Sequence, residues 1–325
     1  FIFDDNFLII NNPYVKNFNI SKIFTTGIFH FKPKELSHGN YYYRPLQSLS
    51  YSVEYILWKL NPVGYRTTNI LLHSLNSLFI FLLLFLIFKD KILALLSGIF
   101  FCIHPAQACL VTFIAGRSNL LETFFTLSSI LAFVYCLACC GKKYYYFSLL
   151  LYVAALLSRE GALLLPLYLI ACLTFFKLKK KRIILLLIPY IALSLLYIMI
   201  RHAFFPFGKY GILPSLSLHQ LFNFALRLHD YFWQLLLTLN LKVELFNKHY
   251  MAKFIFYFLS SVMPIYFLTK AVISKDKVIF SAFILYFIGL IPLIKLDENL
   301  NNLGPILSEH YVYNASIGFC ILLAY

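Results

Sequence analysis

The sequence predicts an all-α protein, a multi-pass bundle of membrane-spanning helices, and three observations carry that prediction. Hydrophobic residues make up 61% of the 325 and charged residues 13%, about half the charged fraction of an ordinary soluble domain. The apolar residues come in long uncharged runs rather than in amphipathic alternation. One soluble core could not bury them all, so lipid must solvate much of the surface. Finally, Lys and Arg collect in short links between the runs, as they do in cytoplasmic loops.

A hydrocarbon core of about 30 Å takes roughly 20 helical residues. The runs place spans near 68–88, 92–105, 119–140, 145–158, 160–176, 183–200, 252–268, 278–294 and 312–325. This makes about nine or ten spans in 1–325, with a further first helix expected ahead of Phe1. Both ends look cut, since the chain opens without methionine and stops at Tyr325 inside an apolar run. Pro166, Pro189, Pro264 and Pro292 fall inside runs, which membrane helices tolerate when neighbours satisfy the freed carbonyls. The links 89–91, 141–143, 177–182 and 269–277 hold 12 of the 28 Lys and Arg. They alternate along the chain and should be cytoplasmic. Residues 1–67, 105–118, 158–160, 201–251 and 295–311 then face outward. The whole of 1–325 reads as one membrane domain: a first outer loop to residue 67, helices over 68–200, an outer loop over 201–251, and helices over 252–325.

Two outer segments carry helices of their own. Leu46, Leu49, Val53, Ile56, Leu57 and Leu60 share one face, and Asn61-Pro62 ends that helix. It should lie along the membrane surface. In 219–236, Gln220, Asn223, Arg227, Asp230 and Gln234 make one polar stripe. That helix either lies on the outer interface or spans. Spanning would turn the Lys-bearing 269–277 link outward, which favours the interface.

The net charge of +15 is explained by the loops. No basic helix or aromatic platform stands apart from them, so no nucleic acid is expected. The seven cysteines form no zinc pattern. Cys136 and Cys139 are spaced as CxxC in an apolar run without a second pair and read as apolar filling.

Each outer link carries a polar cluster beside a membrane boundary: Asp4-Asp5; Tyr43-Arg44-Pro45; His104-Pro105 with Gln107, Arg117 and Glu122; Ser158-Arg159-Glu160; and Glu309-His310-Tyr311. Any one of them reads as an interfacial anchor. All five fall on one predicted face, whereas anchors would divide between the two. Adjacent carboxylates can supply a general base. Arginines bind phosphate oxygens with a planar fork. A base and phosphate-binding arginines at the outer face describe transfer of a group from a lipid phosphate to an acceptor outside. A polyprenyl-phosphate sugar is the natural donor, because its lipid stays in the bilayer.

These stretches resemble a known family. Phe3-Asp4-Asp5-Asn6, Tyr43-Arg44-Pro45-Leu46, Asn61-Pro62-Val63-Gly64-Tyr65 with Asn69 to His73, His104-Pro105 to Arg117 and Leu121, Arg159-Glu160-Gly161 with Pro166, and Glu309-His310-Tyr311-Val312-Tyr313 into Ser316-Ile317-Gly318-Phe319 are similar to motifs of the GT-C superfamily of polyprenyl-phosphate-sugar-dependent glycosyltransferases. The nearest branch is the transmembrane O-mannosyltransferases that carry tetratricopeptide repeats, with their bacterial relatives. The resemblance runs in order from near residue 1 to near 325. It implies an inverting transfer in which Asp4 or Asp5 takes the proton of the acceptor hydroxyl. It also implies a donor phosphate held by basic residues, for which Arg44, Arg117 and Arg159 are the candidates. Glu160 would pair with an arginine, Glu309 and His310 would help seat acceptor or donor, and His104 and Glu122 would support the site. A repeat domain after the last span is a further expectation.

Three positions depart from the family pattern. Cys109 stands where relatives carry an acidic residue, Arg159-Glu160 replaces Lys-Glu, and Glu309-His310 replaces Glu-Arg. A histidine is only partly charged near neutral pH. A divalent metal stays open, with His104 and Asp5 or Glu122 as the ligands considered. Mannose is the implied sugar, on a protein or glycan acceptor, at the outer face of a bacterial inner membrane or the lumenal face of the endoplasmic reticulum. Two other classes compete. A transporter or flippase of lipid-linked sugars would carry ionisable residues at mid-membrane depth, and these spans are nearly free of charge in their middles. A non-catalytic scaffold would bind no donor.

Overall fold

The structure is a computed structural model and describes residues 1, 4–30, 42–139, 141–176, 178–205, 231–232, 235–236, 266, 269–270, 273, 276–292 and 312–325. Among the described residues every regular element is helical, as the sequence predicts: α1 (Pro13–Lys16), α2 (Ile20–Thr25), α3 (Pro45–Trp58), α4 (Pro62–Phe88), α5 (Lys91–Ile103), α6 (Ala108–Thr112), α7 (Arg117–Cys139), α8 (Lys142–Ser158), α9 (Leu165–Leu173), α10 (Lys180–Phe204), α11 (Lys277–Leu290) and α12 (Tyr313–Ala324). Among the described residues, Pro62–Phe88, Ile114–Ala138 and Lys180–Phe204 are long and apolar enough to cross a membrane. These cover the expected spans 68–88, 119–140 and 183–200. The runs 92–105, 145–158, 278–294 and 312–325 correspond to the shorter helices α5, α8, α11 and α12. The run 160–176 opens as a 3₁₀ turn, Glu160–Leu164, before α9. Residues 252–268 lie outside the described residues except Tyr266. So do 219–236, except four helical positions at 231–232 and 235–236.

The chain divides into two compact units, Phe1–Lys89 with Ala108–Ile212, and Asp90–Gln107 with Leu213–Tyr325. In the first unit, helix starts follow from their caps. Asn12 Oδ1 accepts from the amides of Tyr14 and Val15, and Asn19 Oδ1 from that of Lys22. Asn61 Oδ1 accepts from Val63 N at 3.1 Å, with Pro62 in the first turn of α4. Each cap satisfies amides that a helix leaves without an internal partner.

Helix α3 is amphipathic with its polar side inward. Gln47, Ser48, Tyr51, Ser52 and Glu54 are buried, while Val53, Ile56, Leu57 and Trp58 are exposed. Helices α4 and α7 follow the same inversion. Asn69, His73, Asn76 and Ser77 make a buried polar stripe on α4, and Ser118, Glu122, Thr126 and Ser129 make one on α7. Leu71, Leu75 and Leu78 of α4 lie exposed. Side chains that would need water are thus turned toward one another and apolar ones outward, the arrangement that lipid surroundings require. Asn69 Nδ2 donates to the carbonyls of Val111 and Phe113, and Asn76 Nδ2 to that of Leu120.

A ladder of hydroxyls joins α7, α8 and α10. Ser148 Oγ donates to Ser129 O at 2.6 Å, Ser129 Oγ to Ser148 O at 2.8 Å, and Ser148 shares a hydrogen with Tyr190 at 2.7 Å. Tyr152 pairs with Ser194 at 2.6 Å.

The second unit packs α5 and α11 against α12. A Cβ at Gly318 of α12 would lie 2.2 Å from the Ala282 carbonyl oxygen and 2.5 Å from Tyr286 N of α11. Both are backbone atoms that cannot rotate away. Gly318→Ala is therefore expected to force α11 and α12 apart at a cost of about 1–3 kcal/mol, read as a lower thermal midpoint in detergent. An unchanged midpoint would mean that the helices do not approach so closely.

Candidate functional site

The ends of four helices meet in the first unit: the start of α3, the start of α7, the residues just after α8, and the last turn of α10. The residues there are charged. Arg44, the N-cap of α3, points its Nη2 at Glu160 Oε2 at 3.2 Å and its Nη1 at Ser118 Oγ, also at 3.2 Å. Its guanidinium lies over the ring of Tyr42, 4.8 Å from the centroid. On the other side of the same carboxylate, Arg201 Nη2 lies 3.0 Å from Glu160 Oε1. Glu160 thus holds two guanidiniums, one on each oxygen. Its neighbour Arg159 is extended and adds to the positive field on it. Around this cluster, Tyr43 stacks on Phe205 at 4.5 Å between centroids and donates its hydroxyl to Phe24 O.

Burial would raise the pKa of Glu160, but Arg44 and Arg201 outweigh it and hold the carboxyl at about 2, against 4.5 ordinarily. A depressed carboxyl stabilises the fold fully above its unfolded pKa, and that contribution disappears as the pH falls through the folded value. Wild-type protein should therefore lose thermal stability between pH 4.5 and 2 more steeply than Glu160→Gln, which lacks this contribution at every pH. Parallel curves for the two would remove the pairing.

Arg117 behaves differently from the other arginines. It is fully buried, and its guanidinium is divided among protein groups. Nη1 donates to Glu54 Oε1 at 2.8 Å and to Ser50 Oγ at 3.3 Å, Nη2 donates to Tyr65 O at 2.8 Å, and Nε donates to Asn69 Oδ1. It also lies over the ring of Tyr51. One side chain so ties α3, α4 and α7. Burial pushes the Glu54 carboxyl up and Arg117 pulls it down.

The two adjacent carboxylates also differ. Asp5 is 1% exposed, and its Oδ1 accepts from Ala115 N at 3.1 Å. Asp4 is half-buried, at the turn leading into a π-helical segment, Asn6–Ile10. Glu122 is buried against Gly161, where a Cβ would lie 3.3 Å from its Oε2. That contact brings the carboxyl of Glu122 beside the Arg159-Glu160-Gly161 segment.

His104 belongs to the second unit. Its Nδ1 accepts from Ala106 N at 3.2 Å, so Nε2 carries the hydrogen and donates to Leu235 O at 3.0 Å. Both ring nitrogens are engaged in the fold. Gln107, two residues beyond Pro105, donates to Ser316 Oγ at 2.6 Å. Glu309 and His310 lie outside the described residues. Among the described residues no three His, Cys, Asp or Glu side chains come together as a metal site would need.

A cluster of guanidiniums about one carboxylate stands at helix ends on the predicted outer side, and guanidiniums are able to bind anions through a planar fork. The chain is similar to protein O-mannosyl-transferases. Protein O-mannosyl-transferase TMTC3 of Mus musculus is 30% identical over 133 residues, which is 41% of this chain and 14% of that protein. Protein O-mannosyl-transferase F38B6.6 of Caenorhabditis elegans is 31% identical over 140 residues, 41% of this chain and 20% of that protein. Protein O-mannosyl-transferase TMTC1 of Homo sapiens is 31% identical over 140 residues, 41% of this chain and 15% of that protein. The matched region thus spans a seventh to a fifth of these relatives' length. No family model matches the chain, and no solved structure matches it.

The resemblance to O-mannosyl-transferases was legible in short motifs, but Arg201 and Glu54 were not among the expected residues. Arg201 had a signal: it is the first charged residue after the run 183–200, at the end predicted to face outward. Glu54 had one as well, as the acidic residue on the inward face of an amphipathic helix.

Proposed function

We propose that this chain is the membrane catalytic portion of a glycosyltransferase that moves mannose from a polyprenyl-phosphate donor to an acceptor hydroxyl. The acceptor is on a protein or glycan, at the extracytoplasmic face of a multi-pass bundle. The observation that carries this reading is the Arg44–Glu160–Arg201 cluster, flanked by Arg159, at helix ends that the loop charges assign to one side. The names of the relatives support mannose as the sugar.

In this reading Asp4 takes the proton of the acceptor hydroxyl. The acceptor oxygen attacks the anomeric carbon of mannose, forming the glycosidic bond with inversion. The bond from that carbon to the phosphate oxygen breaks, and its electron pair leaves with the polyprenyl phosphate, which gains a negative charge. Arg44 and Arg159 stabilise that charge as it develops. Glu160 fixes the guanidinium planes and Glu122 packs beneath that segment. Arg117 and Asp5 act as scaffold: the first holds α3 to α4 and α7, the second holds the turn before α7. Glu309 and His310 remain proposed contacts for donor or acceptor.

The test supplies full-length protein in lipid nanodiscs with radiolabelled polyprenyl-phosphate mannose and follows loss of label from the lipid, by transfer or slow hydrolysis. Turnover in the wild type that vanishes in the Asp4→Asn/Asp5→Asn double variant is expected. Turnover unchanged in that variant would remove the aspartates from the chemistry. A wild type that neither turns over nor binds lipid-linked sugars would leave the scaffold reading.

A further inference from the structure

Arg201 sits in the last turn of α10 and is 5% exposed, with its guanidinium on Glu160. Four residues earlier, and so on the same face of that helix, is Tyr197. It is 8% exposed, and its hydroxyl is buried without a hydrogen-bond partner among the described residues. Tyr197 thus stands one turn before the guanidinium that pairs with Glu160. Buried hydroxyls are almost always paired, and one that is not asks for an explanation, of which a bound ion is one. A tyrosine hydroxyl beside guanidiniums is a donor awaiting an acceptor, and the acceptor that such a field favours is an anion.

We propose that Tyr197 and Arg201 complete, with Arg44 and Arg159, the seat for the phosphate of a lipid-linked phosphate, and that Glu160 keeps the guanidiniums in register until the phosphate arrives. This rests on the transfer reading above and adds Tyr197 and Arg201 to its phosphate site. Three guanidiniums surround the Glu160 carboxylate, with the Glu122 carboxyl beside Gly161 as the other acidic group there. A phosphodiester donor carries one negative charge and the monoester that leaves carries two. Guanidiniums attract the dianion that leaves more strongly than the monoanionic donor, which is the complementarity that accelerates a reaction. Arg201 contacts the phosphate from α10, and Tyr197 donates to one phosphate oxygen.

The experiment measures binding to full-length protein in nanodiscs with two probes, a short-chain polyprenyl monophosphate and the corresponding polyprenol, with inorganic phosphate as competitor. The wild type should bind the monophosphate at least about tenfold more tightly than the alcohol. Inorganic phosphate should displace it only at far higher concentration. Tyr197→Phe, which keeps the ring, should lose about tenfold of the phosphate preference, the size of a hydrogen bond to a charged group. Its affinity for polyprenol should not change, which also reports that it is folded. Arg201→Lys should lose a similar factor, since an ammonium cannot reproduce the fork. Full phosphate preference in Tyr197→Phe would overturn the proposal, as would a wild type that binds phosphate and alcohol alike. Equal competition by inorganic phosphate would overturn the lipid-linked assignment. A protein that shows the expected preferences but transfers no mannose would keep the seat and overturn the transfer reading. Unchanged transfer and preference in Tyr197→Phe would do the reverse.

Discussion

Arg117→Met should cost the first unit about 3–5 kcal/mol, the loss typical when one partner of a buried ion pair is removed. Methionine fills much of the volume but answers none of the four groups that the guanidinium binds. Glu54, itself 5% exposed, would keep its carboxyl in the interior without a counter-charge. Burial already pushes that carboxyl up, and Arg117 opposes it. In the variant it would take a proton at higher pH rather than remain ionised. Asn69 Oδ1 and the Tyr65 carbonyl would lose a charged donor. Thermal unfolding in detergent at pH 7 is the measurement. Glu54→Gln should cost less, because an amide oxygen still accepts from the guanidinium. Glu54→Leu/Arg117→Met should recover part of the loss. If Arg117→Met melts within about 1 kcal/mol of wild type, its guanidinium is not divided among these partners.

Asp4→Asn should lower transfer by about 10²–10⁴-fold, the usual worth of a positioned general base, with the melting temperature unchanged. Asp5→Asn should behave in the opposite way to a base variant. Its amide oxygen can still accept from Ala115 N, so both fold and turnover should stay near wild type. Asp5→Ala removes that acceptor and should destabilise by about 1–3 kcal/mol, lowering activity only through loss of folded protein. The reason for the asymmetry is access. Asp5 is spent on the turn ahead of α7 at 1% exposure, whereas Asp4 is half-buried. Turnover lost in Asp5→Asn and kept in Asp4→Asn would exchange their roles.

Much of the helical layout could be read from the sequence because its signals are local. The stop read at Asn61-Pro62 is where α3 gives way to α4, and such a signal needs only its own neighbours. The apolar positions Val53, Ile56 and Leu57 of α3 likewise lie together on an exposed face. The site was harder, because its partners are far apart in the chain. Arg44 and Glu160 are separated by 116 residues, and no spacing rule predicts their meeting. Arg117 illustrates the limit from the other side. A charge beside a membrane boundary reads as a ligand contact, and the fold pairs Arg117 with Glu54, 63 residues earlier. Arg201 was passed over for a related reason. At the end of an apolar run it looks like the flank of a span, and only Glu160 gives it a second role.

The inverted face of α3 has a consequence for how the site is tuned. Arg44 caps a helix whose outer side offers apolar rings and branched chains to whatever surrounds it. In a bilayer such a helix floats at the boundary between acyl chains and headgroups, so its height responds to lipid packing. Raising or lowering α3 would carry Arg44 along with it, relative to a donor whose own anchor is fixed by the same leaflet. On the transfer reading proposed above, acyl-chain length would then be a setting of the site, much as ionic strength is for a soluble enzyme, and lipids that shift the water boundary would detune it without altering a single side chain.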